Sequence, residues 1–535
     1  MEMIVVKDFS AHINRYAKIG IALSAEKNIG KLLEMIVQEA MALSNADAGT
    51  LYLMNEDKTR LKFEILQNLS VKEASGSLDD ISSKLKDVIL YETDGRPNHS
   101  NVSSYVALTG IPVNIPDVYT FEHFDFTGPR AYDQATGYRS QSMLVIPLTN
   151  HEDDITGVLQ LLNAKCPDTG KIVSFDVDDE RLVAALASQA AVALTNTQLI
   201  SDLKRFFYAF IKSIATAIEQ KSPFTGGHIK RVVDLTMMIA DHVNKSEDGH
   251  FKDICFSEDE LEALRIATWM HDVGKITTPE YIMNKETKLH TLSDAVKTID
   301  TRFQLIKSIR ESDYLKKRLE IASGPLPLST SPMDIDTPFN MEVAMLDEEI
   351  QFIRSCNQPG EALSDEALER LHTIANKTYV VDGETFPYLT PEELAYLSIR
   401  KGSLTSDERK KIEHHVVMTN TILAPLPFPR KFARVPEFAG GHHEKMDGSG
   451  YPRGLKGDEL PIQSRIMAVA DIFESLTAKD RPYRKPISLK KAMDIMENMK
   501  TSNHIDSDIF DLMVKEKLYL VYGLTALQPE QIDME

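Results

Sequence analysis

The sequence predicts a multidomain chain: an α+β front module, with an antiparallel sheet and helices to one side, joined by a long helix to an all-helical domain. Three observations carry this. Two pairs of apolar segments flank polar turns before residue 165. A helical stretch free of proline and glycine runs on from Asp178, and nearly every signal after Ser222 is helical. A chain of 535 residues exceeds one ordinary core, so roughly two to four domains are expected.

The front module is expected over about residues 10–180. Leu32, Leu33, Ile36, Ala40 and Leu43 recur at helical spacing. The segments Gly49 to Met54 and Leu61 to Gln67 flank the polar turn Asn55-Glu56-Asp57-Lys58, as in a β-hairpin. Ser142 to Leu148 and Thr156 to Asn163 form a second such pair, broken at Asn150-His151-Glu152-Asp153-Asp154. Between the pairs, Tyr91 to Arg139 is rich in Gly, Pro, Asp and aromatics, the composition of an irregular lid over a ligand pocket.

The connecting helix is expected over 181–221, marked by Leu182, Ala185, Leu186, Ala190, Leu194, Leu199, Phe206 and Phe210. A helix of that length is rarely exposed all along its surface. Pairing with its own copy in a homodimer is the expected arrangement; packing on its own domain is the other.

The helical domain is expected over 222–520. The break Pro223-Phe224-Thr225-Gly226-Gly227 precedes a helix starting near His228, and Leu261 to His271 forms another. Thr405-Ser406-Asp407-Glu408 is a capping box opening the helix that carries His415. Thr390-Pro391-Glu392-Glu393 starts a helix with proline at its first position. Gly324 to Pro338 reads as a loop. The region 288–402 reads as an insertion, helical in parts, between two pieces of one site.

Acids outnumber bases 80 to 60, for a net charge of −20. That argues against a binder of nucleic-acid polymers, which needs a basic face. An anionic substrate must then be drawn in by local positive charge. Cys166, Cys255 and Cys356 lie far apart, which disfavours a disulfide framework or a cysteine zinc site and fits the reducing cytoplasm. Met1 to Ser10 lacks the order of a signal peptide. No apolar run is read as long enough to span a bilayer, so no membrane contact is expected except through a partner.

The chemistry is concentrated in a few polar residues of the helical domain. His271 and Asp272 end the apolar run Leu264 to Met270, and a buried pair of that kind is costly unless matched by charge or metal. His228 opens a helix, where alone it would be a helix-terminal polar residue. His415 rather than His414 is the inward candidate from its spacing to the capping box. His442 and His443 cannot face one way on a regular helix, but at a helix end they can reach two metals. Asp471 shares a face with Ala468, Ile472 and Ser475. Five histidines and two aspartates with no cysteine suit a site for two divalent metals, which activates water and clamps phosphate oxygens. Asp272 is the natural bridging carboxylate. Lys275 can neutralise phosphate oxygens or the leaving group. Iron, manganese, nickel and zinc all suit such donors.

These residues resemble the HD-GYP family, a branch of the HD phosphohydrolases, over roughly residues 205–500 apart from the insertion. His271-Asp272-Val273-Gly274-Lys275 is similar to its HD-x-G-K motif. His442-His443-Glu444 through Asp447-Gly448-Ser449-Gly450-Tyr451-Pro452 is similar to its longer signature. The resemblance implies an all-helical domain that hydrolyses cyclic di-GMP to pGpG, and onward to GMP with a richer metal centre. It implies a centre of two or three divalent ions, commonly iron or manganese. The implied ligands are His228, His271, Asp272, His415, His442, His443 and Asp471. Catalytic roles fall to Lys275, Asp272 and Asp447, and substrate contacts to Gly450, Tyr451, Arg481 and Arg484. Members with a third ion carry an extra glutamate near the first histidine. Here 223–227 holds no carboxylate and the nearest upstream acid is Glu219. A receptor that binds cyclic di-GMP without cleaving it, and a hydrolase of another cyclic dinucleotide, are the alternatives.

The front module resembles a GAF domain. Asn163, Lys165, Phe175, Asp179 and Glu180 are close to the motif of cyclic-nucleotide-binding members, with Ala164 intruding between Asn and Lys. An ion pair of Lys165 with Asp179 is expected to brace the lid or the exit helix. The resemblance implies a sensor for an unidentified small ligand that acts through the connecting helix on the hydrolase; a GAF-type fold used only for dimerisation is the alternative.

Overall fold

The computed structural model describes residues 18–70, 87–221, 227–247, 249–291, 294–323, 333–360, 362–478 and 486–534. The chain divides into two units, Met1–Phe207 and Tyr208–Glu535.

In the first unit, helix α1 (Ile29–Ser44) starts at Asn28, whose side chain accepts from the Lys31 amide, and stops at a left-handed Asn45. Strands β1 (Ala46–Met54), β2 (Arg60–Asn68) and β3 (Val88–Ile89) follow. Then come α2 (Val102–Thr109), β4 (Val113–Ile115), α3 (Thr127–Thr136), β5 (Met143–Thr149), β6 (Ile155–Lys165), β7 (Ile172–Val173) and α4 (Val177–Glu219). The strands form one sheet in the order β3-β2-β1-β6-β5-β4, with β7 on β6. Both expected hairpins are present. The alternation of β5 explains its burial on both faces: Leu144, Ile146 and Leu148 join α1 and the start of α4, while Met143 and Val145 join α2 on the other side.

Two expectations need correction here. The stretch read as irregular holds α2 and α3, short helices closed by left-handed Gly110 and Gly137. Lys165 does not pair with Asp179. Its ammonium lies 2.5 Å from buried Asp47, because β6 pairs with β1 so that Ala164 faces Ala46. Asp179 instead accepts from the Asp176 amide at 3.2 Å.

Helix α4 runs for 43 residues. Val183, Leu186, Ala187, Ala190, Ala191 and Leu194 are buried in the first unit's core, whereas Leu199, Ile200 and Leu203 are exposed. By length and composition this helix could cross a membrane, contrary to the sequence reading, which sought an unbroken apolar run. Packing in the first unit accounts for many of its apolar residues.

The second unit opens with α5 (His228–Asn244), α6 (Glu258–Met270), a 3₁₀ turn (Val273–Thr277) and the short α7 (Glu280–Met283). Next come α8 (Val296–Ala322), α9 (Met333–Asn357), α10 (Asp365–Ala375), the hairpin β8 (Thr378–Val381) and β9 (Glu384–Pro387), and α11 (Pro391–Leu397). Ile299, Phe303, Ile306, Leu346, Ile350, Ile353, Leu371 and Tyr388 close a core of their own in this stretch. Its hairpin was not foreseen, and the segment read as a loop to Pro338 is helical from Met333. The chain then forms α12 (Ser406–Leu423), α13 (Val435–Ala439), α14 (Ile462–Thr477), α15 (Leu489–Thr501), α16 (Ser507–Lys515) and α17 (Leu518–Ala526). The capping boxes at Thr390 and Thr405 are both formed.

Candidate metal centre

The site is assembled from the ends or faces of four helices and one loop. Helix α6 ends at Met270, so His271 and Asp272 stand at its C-terminus. The following 3₁₀ turn packs directly on α12. A methyl group on Gly274 would lie 1.9 Å from the His415 carbonyl oxygen, so only glycine fits. The Gly274 amide donates to the Thr419 hydroxyl at 3.0 Å, which in turn donates to the His271 carbonyl at 2.9 Å. His415 is buried on α12 while His414 is exposed. His442 and His443 follow α13, Asp471 lies on the buried face of α14, and His228 is the first residue of α5.

Three of the rings are oriented in the same way. Nδ1 of His271, His415 and His442 each donates to the carbonyl three residues earlier, on Thr268, Ile412 and Ala439, at 2.7, 2.5 and 2.6 Å. This fixes the tautomer and leaves the Nε2 lone pair facing inward. Those three Nε2 atoms and Asp272 Oδ1 are buried with no hydrogen-bond partner among the described residues. Buried acceptors left so are costly, and divalent cations would satisfy all four at once. His228 differs: its Nδ1 meets the Glu474 carboxylate, and Glu474 also accepts from Arg231 Nε at 2.7 Å.

The ligand atoms fall into two sets. Those of His228, His271 and Asp272 lie within 4.8 Å of one another, as do those of His415, His442 and His443. Asp272 stands between the sets. Its Oδ2 is 3.4 Å from His271 Nε2 and 3.8 Å from His228 Nε2, and its Oδ1 is 3.4 Å from His415 Nε2. Asp471 Oδ1 is 3.3 Å from His228 Nε2 and 4.0 Å from His271 Nε2. Nitrogen and oxygen donors without sulfur in this arrangement fit two borderline divalent cations.

Burial and charge set the protonation states. Burial opposes the charge of Asp272, yet Lys275, at 2.5 Å, and His271 hold its carboxyl well below the usual range. Burial likewise opposes ionisation of Asp471, and the His228 hydrogen bond outweighs it, holding the carboxyl down. Burial lowers His442 well below its ordinary value and His443 to about 4. Both are neutral near pH 7, the form that binds metal. Burial also works against protonated His228, but Asp471 and Glu474 override it and raise the ring to about 10.

Two expected participants, Asp447 and Gly450, serve the loop that carries them. Asp447 is exposed, and its carboxylate holds a turn by accepting from the Ser449 amide at 2.8 Å. Gly450 is needed for packing, because a methyl there would lie 2.4 Å from the Lys445 amide nitrogen. Tyr451 does flank the cluster, its ring 4.9 Å from that of His443, and burial raises its hydroxyl pKa. Arg481 and Arg484 lie outside the described residues.

Two acids were missed. Glu474, one turn beyond Asp471 in a buried helix, carried a readable signal as an acid on an apolar face. Glu444 accepts from the Arg453 and Leu455 amides at 2.7 and 3.0 Å, closing the glycine-rich loop. Glu219, weighed as a further ligand, accepts from the Gly227 and Ile229 amides.

Comparison with known families matches this architecture. The GAF domain family matches residues 28–194, and the HD domain family matches 225–323 and again 388–509. The first HD match contains His228, His271 and Asp272; the second contains His415, His442, His443 and Asp471. The chain therefore combines a GAF domain with HD-domain sequence. Among similar curated proteins is the 3'3'-cGAMP-specific phosphodiesterase 1 of Vibrio cholerae, 40% identical over 24% of this chain and 28% of its own length. A probable cyclic di-GMP phosphodiesterase of the same organism is 35% identical over 22% and 28%. A cyclic di-GMP phosphodiesterase of Thermotoga maritima is 39% identical over 19% and 27%. The matched region thus spans little more than a quarter of each of these relatives.

Proposed function

We propose that the chain is a metal-dependent phosphodiesterase that cleaves cyclic di-GMP to linear pGpG. In this reading 10–180 is the sensor, 181–221 the connecting helix and 222–520 the hydrolase. The observation that carries it is Asp272, whose two oxygens face two separate histidine sets. His228, His271 and Asp471 would complete one cation site and His415, His442 and His443 the other, with iron or manganese the preferred metals. Bound cations supply a water of lowered pKa and positive charge beside phosphate. Lys275 adds an ammonium, a quarter exposed, beside Asp272, placed to offset charge on phosphate oxygens or the leaving oxygen. Glu474 holds the His228 ring in orientation. Tyr451 offers an aromatic face to a base or to the sugar-phosphate backbone at the rim.

A second reading, hydrolysis of 3'3'-cGAMP, is favoured by relatives named for that substrate. Three unpaired cysteines support a cytoplasmic setting. The exposed Leu199, Ile200 and Leu203 on α4 support a homodimer through that helix, with a small ligand of the GAF domain as the regulator.

The test is anaerobic purification, elemental analysis and product analysis with both cyclic dinucleotides on one sample. His271→Ala and Asp272→Ala should lose metal and turnover together. Full turnover in the metal-poor variants refutes the mechanism, and binding without any product favours a non-catalytic receptor.

A further inference from the structure

The last turn of α4 touches the backbone on two sides of the metal cluster. Glu219 Oε1 accepts from the Ile229 amide at 2.8 Å and Oε2 from the Gly227 amide at 3.3 Å. These are the amides on either side of His228, at the start of α5. Two residues on, the Lys221 ammonium donates to the carbonyls of Thr278 at 2.7 Å, Lys275 at 3.5 Å and Ile276. Those carbonyls close the 3₁₀ turn that carries Lys275.

Each contact has the favourable sign. The first amides of a helix lack intrahelical partners and present positive charge, which a carboxylate answers. The last carbonyls of a helical turn lack donors, which a lysine supplies. One short stretch thus caps two different elements of the site with opposite charges. Ala215 on α4 packs with Ile229 and Val233 on α5, so the end of α4 is held against α5.

On the metal-centre reading given above, we infer that Glu219 and Lys221 are positioning residues. Glu219 sets the place of His228, and Lys221 sets the place of Lys275. A small shift or rotation of the end of α4 moves a metal ligand and the catalytic ammonium in concert. The same helix is buried in the core of the first unit over Val183 to Leu194.

The test uses the full chain loaded with manganese and the variants Glu219→Ala, Glu219→Gln, Lys221→Met and Lys221→Arg. Glu219→Ala should speed loss of manganese to a chelator on the order of tenfold, as for other groups that orient a ligand, and Gln, whose single carbonyl oxygen can keep the Ile229 amide bond, should recover part of it. Lys221→Met should lower kcat on cyclic di-GMP on the order of tenfold with KM within about twofold. Its manganese loss should be unchanged, and Arg should restore kcat. Amide hydrogen exchange should rise at 227–231 in Glu219→Ala and at 273–278 in Lys221→Met. Residues that only stabilise the fold would lower the melting temperature while leaving manganese loss and kcat as in the wild type; that result overturns the inference, as does failure of Gln and Arg to restore. If the wild type holds manganese but cleaves no cyclic dinucleotide, the phosphodiesterase reading falls. The clamp is then decided by manganese loss and exchange: localised increases uphold it, and unchanged values overturn it.

Discussion

Gly274→Ala puts the docking of the 3₁₀ turn on α12 under direct strain. The added methyl would stand 1.9 Å from the His415 carbonyl oxygen and 2.5 Å from the Thr419 amide nitrogen. Both are backbone atoms, so no side chain can swing away. A carbon approaches a carbonyl oxygen to about 3.3 Å, so the two segments must part by about 1.4 Å. The turn carries Lys275, adjoins Asp272, and is tied through Thr419 to His271. Overpacking of this kind costs about 1–3 kcal/mol, and with two backbone clashes the upper end, about 3 kcal/mol, is expected. A displacement of about 1 Å near reacting groups costs on the order of 100-fold in rate. Trp269, the single tryptophan, sits two residues before His271, so its fluorescence in a urea titration reports this region. Gly360→Ala, which meets nothing within 4 Å, is the control and should move the midpoint negligibly. An unchanged urea midpoint together with wild-type metal content in Gly274→Ala would refute the close approach.

Lys275→Ala should lower turnover by about 10²–10³-fold while elemental analysis finds the metals retained; loss of metal would show that its main task is to hold Asp272 in place. Glu474→Ala removes the partner of His228 and Arg231 and should weaken metal binding by about 10–100-fold, read by competition with a chromogenic chelator. Lys285→Met should cost about 3–5 kcal/mol in urea unfolding, because it strips the buried Glu408 carboxylate of its counter-charge; Lys285 has 0% side-chain exposure and lies 2.7 Å from that carboxylate. Replacing both partners, Lys285→Met with Glu408→Leu, should recover much of that loss, and no recovery would mean that Glu408 matters mainly as the N-terminal cap of α12.

Much of this was legible because it depends on local pattern. The hairpins around residues 55–58 and 150–154 follow from alternation and turn residues. The choice of His415 over His414 follows from counting turns from a capping box. What was not legible depends on register or on approach in space. Asp47 meets Lys165 only because β1 and β6 pair in one particular alignment. Glu219 and Lys221 meet the site only because the end of α4 packs on α5. Glu474 and the hairpin β8–β9 are a different matter. An acid one turn from Asp471, and the pair Asp382-Gly383 between two strand-like runs, were signals in plain view.

Lys288, at the start of the inserted lobe, is tied to residues near its middle and its end. The Lys288 ammonium donates to the Leu397 carbonyl at 3.1 Å, and the Lys288 amide to the Asn357 carbonyl at 3.0 Å. An appendage with adjoining ends and its own apolar interior can be grafted, lengthened or excised without re-laying the helices beneath. Natural variation in this chain's length should therefore collect there, and a short bridge from residue 288 to 397 is the natural seam for a trimmed version that keeps all the metal-binding side chains.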